Sequence, residues 1–261
     1  MRFRWAIAFA AALAAAACNA TVAARADVTC GPGGFAYAGI QSGLSGHGIS
    51  ATLTALTTPS VESGHVAGWV GVGGPGEGPG GTDEWIQVGL NGLPNTGNTL
   101  YYEVMRPGSG VSYGEIATNV PTGQRFRVAV LEVSAMPGAW RVWVDGRPVT
   151  PPIWLGGGGR LTPMAMGESW DGGRPVCNGF SYRFARVSIA AARGGSWQPA
   201  RPGAVLQDPG YRVLSRSVST FDAGAVGLLP DAEASKPPRR VLATASSSRT
   251  TGRRSVPGRT S

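Results

Sequence analysis

From residue 35 onward, apolar and polar positions alternate at a period of two through most segments. "EWIQVGL" (84–90) is representative: Ile86, Val88 and Leu90 fall on one side, Trp85 and Gln87 on the other. Successive side chains of a strand point to opposite faces, so this spacing predicts a strand with one aliphatic, core-directed face. The same reading predicts strands over 35–40, 49–57, 65–72, 84–90, 99–105, 112–118, 126–133, 139–145, 148–154, 161–168, 179–189 and 211–221. In "AWRVWVDGRPV" (139–149), Asp145-Gly146 marks a two-residue hairpin turn. Trp140, Val142 and Val144 share one face there, and Arg141 and Trp143 the other. Many short strands punctuated by Gly and Pro imply an all-β sandwich or barrel.

The two ends break the pattern. Arg2 and Arg4 precede an apolar run from Ala6 to Ala17, and Ala24-Arg25-Ala26 fits a small-x-small cleavage site. That is the layout of a secretory signal peptide over residues 1–26 and implies an extracellular protein. Cys18 offers a lipoprotein anchor instead, although Ala15 stands where a branched aliphatic belongs. No later stretch is long and apolar enough to span a bilayer. Residues 27–223 form the expected domain. Residues 224–261 turn to Ala, Ser, Pro and Arg without periodicity and read as a disordered basic tail.

Charge sharpens this division. The formal net charge is +8, yet residues 27–223 hold 13 Arg and 13 acids. The basic excess belongs to the ends, so the count gives no reason to expect nucleic-acid binding. Cys30 and Cys177 remain after signal cleavage and read as one disulfide in an exported chain. Closing so long a loop stabilises a fold by about 4–5 kcal/mol on a chain-entropy model.

Several chemistries lack their residues. There are only two histidines, His47 and His65, and no H-E-x-x-H or Cys-His cluster, so neither a metal nor another cofactor is expected. "GLSGH" (43–47) is not a nucleophile elbow, and each His reads as an ordinary strand-edge or loop residue. "GVGGPGEGPGGT" (71–82) lacks the phosphate-loop pattern and reads as a loop at a cleft rim; "GGGG" (156–159) is another connection. Strand carboxylates remain: Glu103, Glu132 and Glu168, each in apolar company that can raise a pKa. A glycosidase of this architecture would carry a dense E-x-D-x-E strand, which is absent.

The order of four motifs, "GWVGVGG" (68–74), "EWIQVGLN" (84–91), "LYYEVMRPG" (100–108) and "AMGESWDGG" (165–173), resembles the glutamic peptidase (eqolisin) family. The resemblance spans about residues 50–190 and implies a concanavalin-A-like sandwich, or jelly roll, of two antiparallel sheets. It carries the catalytic glutamine to Gln87, the catalytic glutamate to Glu168 and the acid of the aromatic strand to Glu103. It implies an acid endopeptidase in which the carboxylate activates a water and the amide steadies the oxyanion. Trp69, Trp85, Tyr101, Glu103 and Trp170 would line the polypeptide. Two departures stand out: Val72-Gly73 lacks an acid, and Ala165 replaces a tryptophan. A monomer is expected in either case; the alternative is a non-catalytic sandwich that binds an extracellular glycan through its aromatic residues, Trp143 among them, or serves as a cell-surface domain.

Overall fold

The computed structural model describes residues 30, 33–156, 161–172 and 174–229. The signal-peptide, lipoprotein and glycine-run expectations (1–26, Cys18, 157–159), and the tail from 230, lie outside them. The strands are β1 (Phe35–Ser42), β2 (Gly48–Ala55), β3 (Ser60–Val61), β4 (His65–Gly74), β5 (Glu84–Gly92), β6 (Asn98–Arg106), β7 (Gly110–Val120), β8 (Arg125–Glu132), β9 (Ala139–Val144), β10 (Arg147–Pro148), β11 (Ile153–Trp154), β12 (Pro163–Trp170), β13 (Asn178–Gly179), β14 (Ser181–Ala192), β15 (Gly195–Pro199), β16 (Pro202–Gln207), β17 (Tyr211–Ser217) and β18 (Thr220–Ala225). Among the described residues, no helix is long and apolar enough to cross a membrane.

Two antiparallel sheets pack face to face. The first runs β16-β1-β12-β4-β5-β6-β7, and the second β10-β9-β8-β2-β14-β18-β17 with β11 and β15 at its margins. The predicted alternation sets their inner faces. Ile86, Val88 and Leu90 of β5 are buried with Val70 and Val72 of β4 against Leu53, Val128, Val130, Trp140 and Phe184 of the second sheet. Such burial removes apolar area worth about 25 cal/mol per Å² from water. Asp145 (φ 49°) and Gly146 (φ 80°) make the β9–β10 turn. Positive φ at both central residues is what a type I′ hairpin requires.

Some segments depart from the expected strands. The run 148–154 is two short pieces, β10 and β11, because Pro151-Pro152 between them has no amide hydrogen for a ladder. The run 211–221 is a hairpin, β17–β18, whose turn has neither Gly nor Pro to mark it. The Gly- and Pro-containing β15 and β16 were not expected; β16 runs along the sheet edge, where proline is tolerated. The expected domain end at 223 falls inside β18. Gly224 still pairs with Ser181 and Arg212, and Leu229 is buried, so the fold continues to 229.

Cys30 and Cys177 are disulfide-bonded, with Cα atoms 5.6 Å apart. The sheets divide the charge that the sequence average hid. Strands of the second sheet carry eight arginines against Glu132 and Asp222. Those of the first carry Glu84, Glu103, Glu115 and Glu168 against Arg106.

Candidate active site

The outer face of the first sheet collects the residues singled out from the sequence. Paired strands place directly opposed residues on one face, so the registers form rows across β1, β12, β4, β5 and β6. One row is Tyr37, Glu168, Ala67 and Asn91; the next is Gly39, Met166, Trp69, Gly89 and Tyr101; the next is Gln41, Met164, Gly71, Gln87 and Glu103. Phe35, Trp170 and His65 lie beyond the first row, and Gly73, Trp85 and Met105 beyond the last.

Two polar groups form on this face. In the first, Glu168 is buried and accepts hydrogen bonds at both oxygens' positions: from the Trp69 indole N–H at 2.8 Å on Oε2, and against His65 Nε2 at 3.1 Å on Oε1. Trp170, 40 % exposed, leans over His65 with ring centroids 5.4 Å apart, and Phe35 and Tyr37 stack beside it. In the second, Gln87 is only 7 % exposed and donates from Nε2 to the Tyr101 hydroxyl at 3.1 Å. Glu103, opposite Gln87, accepts from the Trp85 indole N–H at 3.2 Å. At the far side, Asn91 donates to the Tyr113 hydroxyl.

Burial raises the Glu103 carboxyl above its ordinary value, the Trp85 hydrogen bond partly opposes this, and the Glu168 charge adds to it. The Tyr101 phenol is held neutral well above its usual range, first by burial and then by Glu168 and Glu103. Tyr37 is raised in the same way, by burial and then by Glu168. The face is therefore an acidic environment in which, among the described residues, neither carboxyl has an arginine partner.

All seven expected site residues thus share one face. Trp85, Gln87, Tyr101 and Glu103 come together, as do Trp69, Glu168 and Trp170. Gln87 and Glu168 lie two strands and four residues of register apart, yet the Glu168 charge reaches both Tyr101 and Glu103, the residues that meet Gln87. The β12 residue level with Gln87 is Met164. His65 is the residue that sequence reasoning missed. It does stand at a strand start, as expected, yet it binds Glu168; its parity with Trp69 was the available signal.

Comparison with solved structures adds the fold's relatives. A scytalidoglutamic peptidase bound to a peptide-based transition-state analogue matches at TM-score 0.50 and 17 % identity, over 73 % of this chain and 98 % of that one. The chain shares the glutamic peptidase fold. SCP-B, an eqolisin-family peptidase in complex with the tripeptide Ala-Ile-His, matches at TM-score 0.46 and 17 % identity, over 73 % and 98 % of the two chains. A carbohydrate-binding module from Bacillus subtilis matches at 0.31 and 13 %, over 59 % and 80 %. No family model matches the sequence, and no curated protein matches it significantly.

Within the glutamic peptidase fold, this concanavalin-A-like sandwich keeps small residues around its polar centre. A Cβ added to Gly71 would come within 2.8 Å of Gln87 Cβ and of the Ile86 carbonyl oxygen. Gly89 is similarly pressed against the β4 backbone beside Trp69. These glycines let Gln87 and Trp69 lie close to the sheet. Among the described residues no group of three His, Cys, Asp or Glu side chains stands close enough to hold a metal.

Proposed function

We propose that this outer face is the active face of an exported acid endopeptidase of the glutamic peptidase kind, acting on an extended polypeptide. The observation that carries the reading is the buried Gln87 amide set directly opposite Glu103, a carboxyl whose pKa is raised, with Glu168 on the same face. A proton-holding carboxyl is suited to protonating a leaving amine, and a fixed amide N–H is suited to a developing oxyanion. In this reading Gln87 supplies the amide and Glu168 the carboxylate base, as the family resemblance implies, and Glu103 is the carboxyl nearest the amide. The indole and phenol rings of Trp69, Trp85, Tyr101 and Trp170 border the polypeptide.

One observation favours a second reading, a non-catalytic module that holds an extracellular glycan or polypeptide. Met164, not a carboxylate, stands level with Gln87 on β12. Digestion of an unfolded protein across about pH 2–7 decides between them, because a carboxyl base must be partly ionised while its surroundings favour the neutral form. The peptidase reading expects cleavage that falls by at least about a hundredfold in Gln87→Ala, the effect of losing one oxyanion donor. It expects comparable losses in Glu168→Gln, and a changed pH profile in Glu103→Gln. A folded parent that cleaves nothing at any pH overturns it.

A further inference from the structure

The second sheet carries a site of its own, on the side of the molecule away from Gln87 and Glu168. Its outer face holds two adjoining cavities of about 260 and 240 Å³ that share Ser50, Arg127 and Trp197 in their linings. The floor is a line of small residues in register across three strands: Ser188 on β14, Ser50 on β2 and Ala129 on β8. Trp143 on β9 continues that line at one end. Trp197, on the β15 hairpin that folds back along β14, stands at the other. Both indoles are half-buried. The floor is therefore a shallow trough between two aromatic walls.

The trough is cationic. Arg127, Arg141 and Arg186 line it, and none of their guanidinium groups is ion-paired with a described residue. Arg186 donates to the Thr52 hydroxyl at 3.2 Å. Arg141 Nε and Trp143 Nε1 have no acceptor among the described residues. The carboxylate in the lining, Glu132, is already engaged by His47 Nδ1 and by the Gly138 amide. By contrast, the arginines farther along the sheet, Arg183 and Arg216, are both neutralised by Asp222. Of the six second-sheet arginines without an ion-pair partner among the described residues, three line this trough.

We propose that this trough binds an acidic oligosaccharide, its sugar rings lying against Trp143 and Trp197 and its carboxylates meeting Arg127, Arg141 and Arg186. Flat indole walls offer apolar contact to a ring, and seryl and threonyl hydroxyls offer partners to its hydroxyl groups. The planar guanidinium fork matches a carboxylate in two hydrogen bonds. Each cavity is smaller than the roughly 300–1,000 Å³ of pockets for drug-sized ligands, which suits one or two sugar units per cavity. Three available guanidiniums suit a few carboxylates; a nucleic-acid backbone, with a charge at every nucleotide, calls for a longer basic track. The site is independent of the proposed peptidase face.

Calorimetric titration of the purified full chain with trigalacturonate tests this. Saturable binding is expected, weakened at least tenfold in Trp197→Ala and in Arg127→Ala, and unchanged in Gln87→Ala. Arg127 is exposed, so its variant leaves the test readable if a tryptophan variant fails to fold. Absence of binding overturns the proposal. So does equal binding of neutral maltotriose, or tighter binding of an oligodeoxynucleotide or oligoglutamate of matched charge.

Discussion

Each sheet buries carboxylates on its outer side, and the two sheets treat them in opposite ways. Asp222, on β18, is fully buried, and two guanidinium groups grip it: Arg183 Nε at 2.7 Å on Oδ1 and Arg216 Nη2 at 2.7 Å on Oδ2. Glu103 and Glu168, on the first sheet, are met by indole N–H groups and a histidine. Charge-assisted hydrogen bonds from two arginines immobilise a carboxylate, and the group then serves to fix strand against strand. An indole N–H fixes the position of a carboxyl without bringing a counter-charge to it. The first arrangement is architecture; the second leaves Glu103, whose pKa burial raises, able to exchange a proton with whatever docks against it.

The contrast can be broken most forcefully at Asp222. Asp222→Ala leaves Arg183 and Arg216 facing each other without an anion, and should cost about 3 kcal/mol in denaturant unfolding. That is the low end of the usual range, because Arg183 is exposed enough to turn into water. Next in size is Gly71→Ala, whose added methyl collides with the β5 backbone and with Gln87. Overpacking of this kind costs about 1–3 kcal/mol, and on the proposed function peptidase activity should fall with it. Trp69→Phe removes the donor to Glu168 Oε2 and should cost about 1–2 kcal/mol, within the range for a buried acceptor left unmet.

The smallest effect sharpens the comparison most. The folded chain raises the Glu103 pKa, so the native state keeps this proton to higher pH than the unfolded chain does. The group's contribution to stability is therefore whole below the unfolded value and is lost as pH rises through the folded value. Glu103→Gln cannot ionise, so its melting temperature should match the parent's in acid and exceed it near neutrality.

How much of this was legible in the sequence follows from what strand periodicity contains. Alternation gives the face on which a residue lies, and on that point Trp85, Gln87, Glu103 and Glu168 were readable from one strand at a time. It does not give the row. Gln87 stands opposite Glu103 because the loop at 93–97 closes β5 onto β6 in that register, and Glu168 lies two rows away because β12 meets β4 through Gly167 opposite Gly68. A shift of two residues in either ladder would keep every parity and change every neighbour. Charge failed for a related reason. Thirteen arginines balance thirteen acids along residues 27–223, but a sum over the chain cannot register that strands alternate between two sheets. The disulfide was legible because inventory alone left two cysteines.

That disulfide has a mechanical consequence. Cys30 and Cys177 are 147 residues apart in the chain, and every strand from β1 to β12 lies in the loop between them. Tension applied to the two ends of the protein would pass from Cys30 through the sulfur atoms to Cys177. The seven-stranded sheet, apart from β16, would lie in a covalent bypass and carry none of that load, and the strands exposed to it would be β13 to β18. Under force the face bearing Gln87, Glu103 and Glu168 would keep its backbone unstretched while the arginine-rich hairpin of β17 and β18 peeled away.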